Sequence, residues 1–325
     1  MLLGFDIGGT KCAVILGKKE ADGKINMLKK VSFPTDKPVY EMLELLYGQA
    51  EKMLSEGGFQ NNQLQGIGIS CGGPLNSKRG IILSPPNLPG WDAVPIAELT
   101  AKRFGVKTRL QNDANACAVA EWKFGAGRGF NNVVFLTFGT GMGAGLILNG
   151  QLYSGTNDLA GEVGHVRLEK WGPVGFGKEG SFEGFCSGGG IAQLAQSKVR
   201  SKLQTGEKVS FCSSMEDLPN LSAKRVAEAA FEGDATAIDI YRTCGYQLGA
   251  ALSLLIDILN PEVIILGSIY GHAKELLEPY MREVIRKEAL QDSASLCSIV
   301  PAQLSEHIGD MAALCTADYE CKVLY

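Results

Sequence analysis

No C-x-x-C pair, no block of lysines and arginines and no apolar run of bilayer length occurs in this chain, and each absence removes a class of function. Without a basic arm, and with a formal net charge of −4, direct binding to DNA or RNA is disfavoured. The nine cysteines are odd in number and scattered, which fits reduced thiols in a cytosolic protein better than a disulfide framework. The most apolar stretch, Leu248 to Leu259, contains Asp257 and falls short of the ~20 residues that a membrane helix needs. The start, Met1-Leu2-Leu3-Gly4-Phe5-Asp6, has no basic flank and meets an acid before an apolar leader core could form. A soluble, cytoplasmic protein is expected, with no nucleic-acid or membrane partner.

Glycine, by contrast, is plentiful. Its 41 residues cluster at Gly8-Gly9, Gly72-Gly73, Gly139 to Gly145, Gly172 to Gly180 and Gly188 to Gly190. Between apolar strands, such clusters bring backbone close to something rather than forming a flexible linker. The most informative of them is Asp6-Ile7-Gly8-Gly9-Thr10-Lys11, which puts a carboxylate, two glycines, a hydroxyl and an ammonium in one turn between two apolar strands. Backbone N–H groups there can face an anion with no Cβ in the way, although an ordinary glycine hairpin reads the same.

With 325 residues, two domains are expected. The opening pattern is a three-stranded meander to about Phe33, a helix from Val39 to Leu54 closed by Gly57-Gly58, and a strand from Gly66 to Ser70. The order recurs later. Val133 to Leu136 leads into the turn Gly139-Thr140-Gly141-Met142-Gly143, then a strand from Ala144 to Leu148 and a reversal at Asn149-Gly150. A helix around Tyr241 to Ile258 and the strand Val263 to Leu266 follow. Repeated halves predict an α/β protein whose two domains face a cleft, each contributing a phosphate loop.

Two motifs mislead. Gly139 to Ala144 satisfies the dinucleotide pattern G-x-G-x-x-G/A, but the residues after it read as a strand rather than the helix that a Rossmann site requires. Gly172 to Lys178 has P-loop spacing, yet Glu179 stands where a magnesium-binding hydroxyl should be, and a loop is expected there.

Carboxylates gather elsewhere. Asn112-Asp113-Ala114-Asn115 precedes a small-residue helix, where Asp113 reads either as an N-cap or as a functional acid. Glu162 and His165 lie three apart, with Glu183 beyond, and this mixture of acceptors and donors suits a polyhydroxylated ligand.

In these segments the chain resembles the sugar kinases of the ROK family, within the hexokinase and actin superfamily, nearly from end to end. Asp6 to Lys11 is similar to the family's first phosphate motif, and Thr137 to Gly143 to its second. Asn112 to Asn115 resembles the catalytic segment, Gly161 to His165 the sugar-binding segment, and Ile308 to Ala313 the last helix. The resemblance implies two actin-like (ribonuclease H-like) α/β domains, each with a mixed sheet flanked by helices, over 1–116 plus 305–325 and over 117–304. It implies ATP and Mg²⁺ as cofactors, a hexose or N-acetylhexosamine as substrate, phosphorylation at the 6-hydroxyl, and a homodimer.

By the same resemblance, Asp113 is the general base, while Gly73, Asn112, Asp113, Glu162, His165 and Glu183 hold the sugar. Gly8, Gly9, Thr10, Lys11, Gly139, Thr140, Gly141 and Gly143 cradle the phosphates, and Asp6 organises Mg²⁺ through water. A non-enzymatic sugar-sensing regulator is the alternative. With the phosphate motif at residue 6, the DNA-binding domain of the family's repressors is not expected ahead of it, and an actin-like scaffold would not need these sugar-facing residues.

The match departs at two places. Many family members bind a structural zinc through three cysteines after the histidine, and Val174 to Ser181 carries none, so no zinc is expected and packing of Phe176 and Phe182 must hold the loop instead. Gly267-Ser268 replaces a glycine pair near the nucleotide.

Overall fold

The computed structural model describes residues 1–318. In chain order its strands are β1 (Leu2–Ile7), β2 (Lys11–Lys19), β3 (Ile25–Pro34), β4 (Gly66–Cys71), β5 (Leu75–Asn76), β6 (Ile81–Ile82), β7 (Thr108–Asn112), β8 (Val133–Leu136), β9 (Ala144–Leu148), β10 (Gln151–Tyr153), β11 (Val174–Gly175), β12 (Lys178–Glu179), β13 (Val263–Leu266) and β14 (Ser298–Pro301). Its α-helices are α1 (Val39–Glu56), α2 (Ile96–Phe104), α3 (Asp113–Phe124), α4 (Phe182–Phe185), α5 (Gly188–Gln204), α6 (Ala223–Phe231), α7 (Ala235–Leu259), α8 (Ser268–Glu288), α9 (Gln291–Leu296) and α10 (Ile308–Asp318). None of the described helices is long and apolar enough to cross a membrane.

Two mixed five-stranded sheets carry the fold, ordered β3-β2-β1-β4-β7 and β10-β9-β8-β13-β14. The chain forms two compact units, one from 1–131, 145–161 and the segment from 303 onward, the other from 132–144 and 162–302. The first unit thus runs past the limit at residue 116 read from the sequence, because α3 packs on α10. Of the returning segment expected over 305–325, residues 319–325 lie outside the described residues.

In the first unit, β1 pairs antiparallel with β2 and parallel with β4, which in turn runs parallel to β7. Alternation assigns its two faces. Leu3, Phe5 and Ile7 join Leu43, Leu46 and Tyr47 of α1 in one apolar core, where the Phe5, Tyr47 and Phe104 rings lie 5.7–6.4 Å apart. The opposite face carries Gly4, opposite Gly68 in register, together with Gly17 and Gly66. Helix α10 lies so close over these glycines that a Cβ on Gly4 would meet the Ala313 methyl at 2.9 Å, and one on Gly68 the Ala313 carbonyl at 2.1 Å. Only hydrogen fits there. Buried Glu121 ties the returning segment to α3, accepting from Leu304 N–H at 2.7 Å and from Ala126 N–H at 2.8 Å.

In the second unit, β8, β13 and β14 run parallel, and β8 and β13 are buried throughout, which explains their unbroken valine, isoleucine and leucine runs. Helices α7 and α8 pack backbone to backbone, with Gly249 leaving no room for a Cβ against the Met281 carbonyl at 2.6 Å.

The glycine turn at Gly139 leads into β9, not a helix, so the Rossmann pattern has no structural counterpart here. Asn149 and Gly150 adopt φ of 53° and 70°, the paired positive values that a two-residue hairpin turn demands. The segment expected as a loop over Gly172 to Lys178 is instead a short hairpin, β11–β12, turning at Phe176 and Gly177.

Candidate active site

Within the first unit, three segments meet. The turn after β1 is closed by the Gly8 N–H donating to the Lys11 carbonyl at 3.0 Å, and it is pinned to the end of β3 by the Thr35 hydroxyl on the Gly8 carbonyl at 2.7 Å. Gly9 faces Asn87 so tightly that a Cβ would lie 2.5 Å from the Asn87 carbonyl oxygen. A Cβ on Gly72 would stand 3.5 Å from the Asn87 amide nitrogen and 3.8 Å from Oδ2 of Asp113, and one on Gly73 would stand 3.4 Å from Nδ2 of Asn112. Asn87 therefore joins the glycine turn after β1 to the Gly72-Gly73 segment. It escaped sequence reading because its only signal is a proline-bracketed turn, Pro85 to Pro89.

The N-cap of α3 is Asn112, whose side-chain oxygen accepts from Ala114 N–H at 3.0 Å and Asn115 N–H at 3.2 Å. That corrects the N-cap reading of Asp113, which is the first helical residue and is freed from capping. Its side chain is open to solvent along one side, yet burial by the surrounding protein raises its pKa, partly offset by the Ala114 N–H on Oδ1 at 2.8 Å. The depression expected from a helix start is outweighed by desolvation.

Asp6, half-buried at the end of β1, has its pKa pushed up to about 6 by burial and then by the charges of Asp310 and Asp113, against the opposing pull of Lys30 and Lys11. Nothing among the described residues donates a hydrogen bond to this carboxylate. Buried Asp310 pairs with Lys30 at 2.6 Å, and a Cβ on its neighbour Gly309 would come within 2.9 Å of Asp6 Oδ2. Helix α10 can approach Asp6 only because the strand glycines let it lie low on the sheet. Sequence reading missed Lys30 and Asp310, since their pairing spans 280 residues.

Within the second unit, the loop from Thr137 to Gly143 is fastened on all sides. Thr137 N–H donates to the Gly143 carbonyl and Gly143 N–H to the Thr137 hydroxyl, both at 2.9 Å, while Gly139 N–H reaches the Gly141 carbonyl at 3.1 Å. Helices α5 and α8 both begin against it, with Gly188 N–H on the Gly139 carbonyl at 2.8 Å and Ile269 N–H on the Phe138 carbonyl at 3.0 Å. Ser268 adds its hydroxyl to the Phe138 carbonyl at 3.2 Å, so the serine that replaces a glycine braces the loop. Two helix N-termini beside a glycine loop favour anionic ligands.

Glu162 and His165 are exposed on one short turn, closed by His165 N–H on the Glu162 carbonyl at 3.2 Å. Gly164 between them abuts the loop, since a Cβ there would lie 2.1 Å from the Met142 carbonyl and 3.3 Å from the Glu183 Cβ. Glu183, read as a sugar ligand, accepts the Met142 N–H at 3.0 Å through Oε2. The carboxylate read from the sequence as a sugar ligand is thus bonded directly to the second glycine turn.

The expected packing anchor is half right. Phe182 is buried, whereas Phe176 is 72% exposed at the hairpin tip, with its ring centroid 6.3 Å from that of His165 in a T-shaped arrangement. The hairpin holds the turn through polar contacts instead, with the Lys178 ammonium on the His165 carbonyl at 2.8 Å and Gln193 bonded both ways to the Val174 backbone at 2.9 Å.

Residues 2–318 match the model of the ROK family. The chain belongs to the ROK family. Among its relatives, a glucokinase of Thermotoga maritima is 33% identical over 315 residues, covering 96% of this chain and 95% of the relative. A xylose repressor of Caldicellulosiruptor bescii is 27% identical over 89% of this chain and 70% of the repressor. The crystal structure of a ROK family glucokinase from Streptomyces griseus in complex with glucose and AMPPNP superposes with a TM-score of 0.74 at 27% identity, covering 98% of this chain and 99% of that one. Such ROK neighbours are actin-like two-domain folds, and the two mixed sheets here are of that class.

The donor set of this ROK chain fits a magnesium ion that keeps most of its water. Among the described residues no cluster of three or more acidic, histidine or cysteine side chains could encage a metal, while Asp6 offers an ionisable carboxylate with no protein donor. Mg²⁺ characteristically takes one or two carboxylates plus substrate phosphates.

Proposed function

We propose that this ROK protein is an ATP-dependent sugar kinase that moves the γ-phosphoryl group of ATP to the 6-hydroxyl of a hexose or N-acetylhexosamine. The observation that carries this reading is Asp113, a carboxylate freed from capping, with its pKa raised, and flanked by Asn112 and the Gly72-Gly73 backbone. It is supported by 33% identity to a glucokinase over nearly the whole chain.

Phosphoryl transfer through a loose transition state needs alignment and charge neutralisation more than covalent help. Asp113 accepts the proton of the sugar hydroxyl as its oxygen bonds to the γ-phosphorus and ADP departs. A raised pKa makes it a better acceptor than a free aspartate. Asn112 offers its amide nitrogen to the sugar because its oxygen is spent on the cap. Glu162, His165 and Glu183 orient the ring, and the two glycine turns orient the phosphates. Mg²⁺, when bound near Asp6, neutralises phosphate charge.

A panel of hexoses and N-acetylhexosamines in a coupled ADP-release assay tests this reading. Turnover of at least one is expected. A sugar-sensing regulator, the reading that the repressor relative favours, predicts tight binding without turnover. We further place the protein in the cytoplasm as a homodimer. Leu254 and Ile258 of α7 with Leu290 and Leu296 around α9 are 46–75% exposed, and Leu290 N–H bonds Asp257, which makes the neighbouring ends of α7 and α9 our candidate surface for a second copy. Sedimentation of Ile258→Glu as a monomer, against a dimeric wild type, is the expected outcome.

A further inference from the structure

Asp158 adopts a φ of 63°, in the left-handed region where a residue with a side chain is uncommon. Conformations of this kind persist where the surroundings repay them. Here the repayment is visible: both carboxylate oxygens are taken by one residue, Ser77, whose N–H donates to Oδ2 at 2.9 Å and whose hydroxyl donates to Oδ1 at 2.7 Å. Ser77 opens the turn joining β5 to β6, which Gly80 closes by donating to the Ser77 carbonyl at 3.3 Å. The loop of Asp158 is closed in turn by Ala160 N–H on the Ser154 carbonyl at 3.2 Å.

The positions of these two residues along the chain give the contact its meaning. Ser77 follows Gly73 by four residues, and Gly73 lies against Asn112. Asp158 precedes Glu162 by four, with Gly161 at a φ of 92° between them. Two segments that enter the sugar-facing residues from distant parts of the chain, 81 residues apart, are therefore joined at a single bidentate contact. A loop needing only a turn would be served more cheaply by glycine at 158.

We propose that Asp158 and Ser77 form a clasp between the segment bearing Gly73 and the segment leading to Glu162, which makes Asp158 a positioning residue that sets affinity for the sugar. The inference rests on the kinase reading above. Neither bond of the clasp is made to a glycine turn, and the first turn meets the Gly72-Gly73 segment only through Asn87, so the larger effect is expected on the sugar rather than on ATP.

The variant Asp158→Gly tests it, because glycine adopts this φ freely while both bonds are lost. The expected result is a sugar KM raised about tenfold or more, as befits loss of charge-assisted bonds. KM for ATP stays within about twofold and Tm within about 2 °C, since the left-handed strain is relieved at the same time. Asp158→Asn, which keeps an acceptor for the Ser77 N–H and tolerates the backbone, recovers most of the affinity. Amide exchange over residues 72–79 and 154–161 quickens in Asp158→Gly with no sugar present. An unchanged sugar KM would overturn the positioning role, and unchanged exchange in both segments would overturn the clasp. Should the wild type neither bind nor phosphorylate any hexose, the kinase reading and the positioning role fall together, and exchange alone decides whether the clasp exists.

Discussion

The two glycine turns, Gly8 to Lys11 and Gly139 to Gly143, follow strands of the same buried type and look alike in sequence, yet they are built differently. The first carries charge. Asp6 and Lys11 bracket it, and its backbone is pinned by one neighbour, Thr35, and by contact with Asn87. The second has no charged residue of its own and is tied by Thr137, Gly188, Ser268, Ile269 and the Glu183 carboxylate. A turn that handles a metal must keep its carboxylate unspent, whereas a turn that offers only N–H groups can be locked in advance. On the kinase reading proposed above, similar local patterns would divide the labour of holding a polyphosphate.

The carboxylate beside the second turn, Glu183, is bonded to that turn, whereas Asp113 accepts from the start of its own helix, and removal of Asp113 is the sharpest test of that asymmetry. Asp113→Asn should lower turnover about 10²–10⁴-fold while calorimetric sugar binding persists. Retained activity would strip it of the role of base. Asp6→Asn should cost about 10²–10³ in turnover, the scale of losing one electrostatic partner of the transferred group. It should also change how stability depends on pH. Because folding raises the pKa of Asp6 to about 6, the folded state keeps a proton that the unfolded chain releases near 3.8. The favourable contribution is complete below about pH 4, is lost as pH rises to about 6, and is on the order of 3 kcal/mol. Melting curves across that window should flatten in Asp6→Asn.

Smaller effects come from the glycines. Gly9→Ala must displace the Asn87 backbone and should cost about 1–3 kcal/mol in chemical denaturation. Gly141→Ala meets only the end of the Glu183 side chain, at 2.8 Å, and should cost less than about 1 kcal/mol. In a Glu183→Ala background the second substitution should become neutral, a coupling that a double-mutant cycle measures. Equal costs at Gly9 and Gly141 would erase the distinction between a charged, loosely tied turn and a locked one.

Much of this was legible in the chain. The meander, α1, the strand–turn–strand of each half and the Asn149-Gly150 reversal follow from period-two and helical spacing and from turn chemistry, all local. The family emerged from five short segments in order. What misled or stayed open was also local: Phe176 reads as an anchor but turns outward at a hairpin tip, and Asp113 reads either as a cap or as an acid until Asn112 is seen to take the cap. Residue type cannot say which of two adjacent acceptors reaches back to the helix N–H groups, since that is set by the backbone angles at the end of β7.

The sequence by itself determined the α/β class, the two glycine turns and the residues available for chemistry, because these depend on periodicity and on what each side chain can donate or accept. Tertiary structure decided how those residues are tuned. Lys30 and Asp310, 280 residues apart, come together beside Asp6 only because Gly4 and Gly68 let α10 lie against the sheet, and the Ser77–Asp158 contact arises from two loops 81 residues apart. Desolvation and long-range pairing are properties of packed neighbours, and no stretch of chain carries them alone.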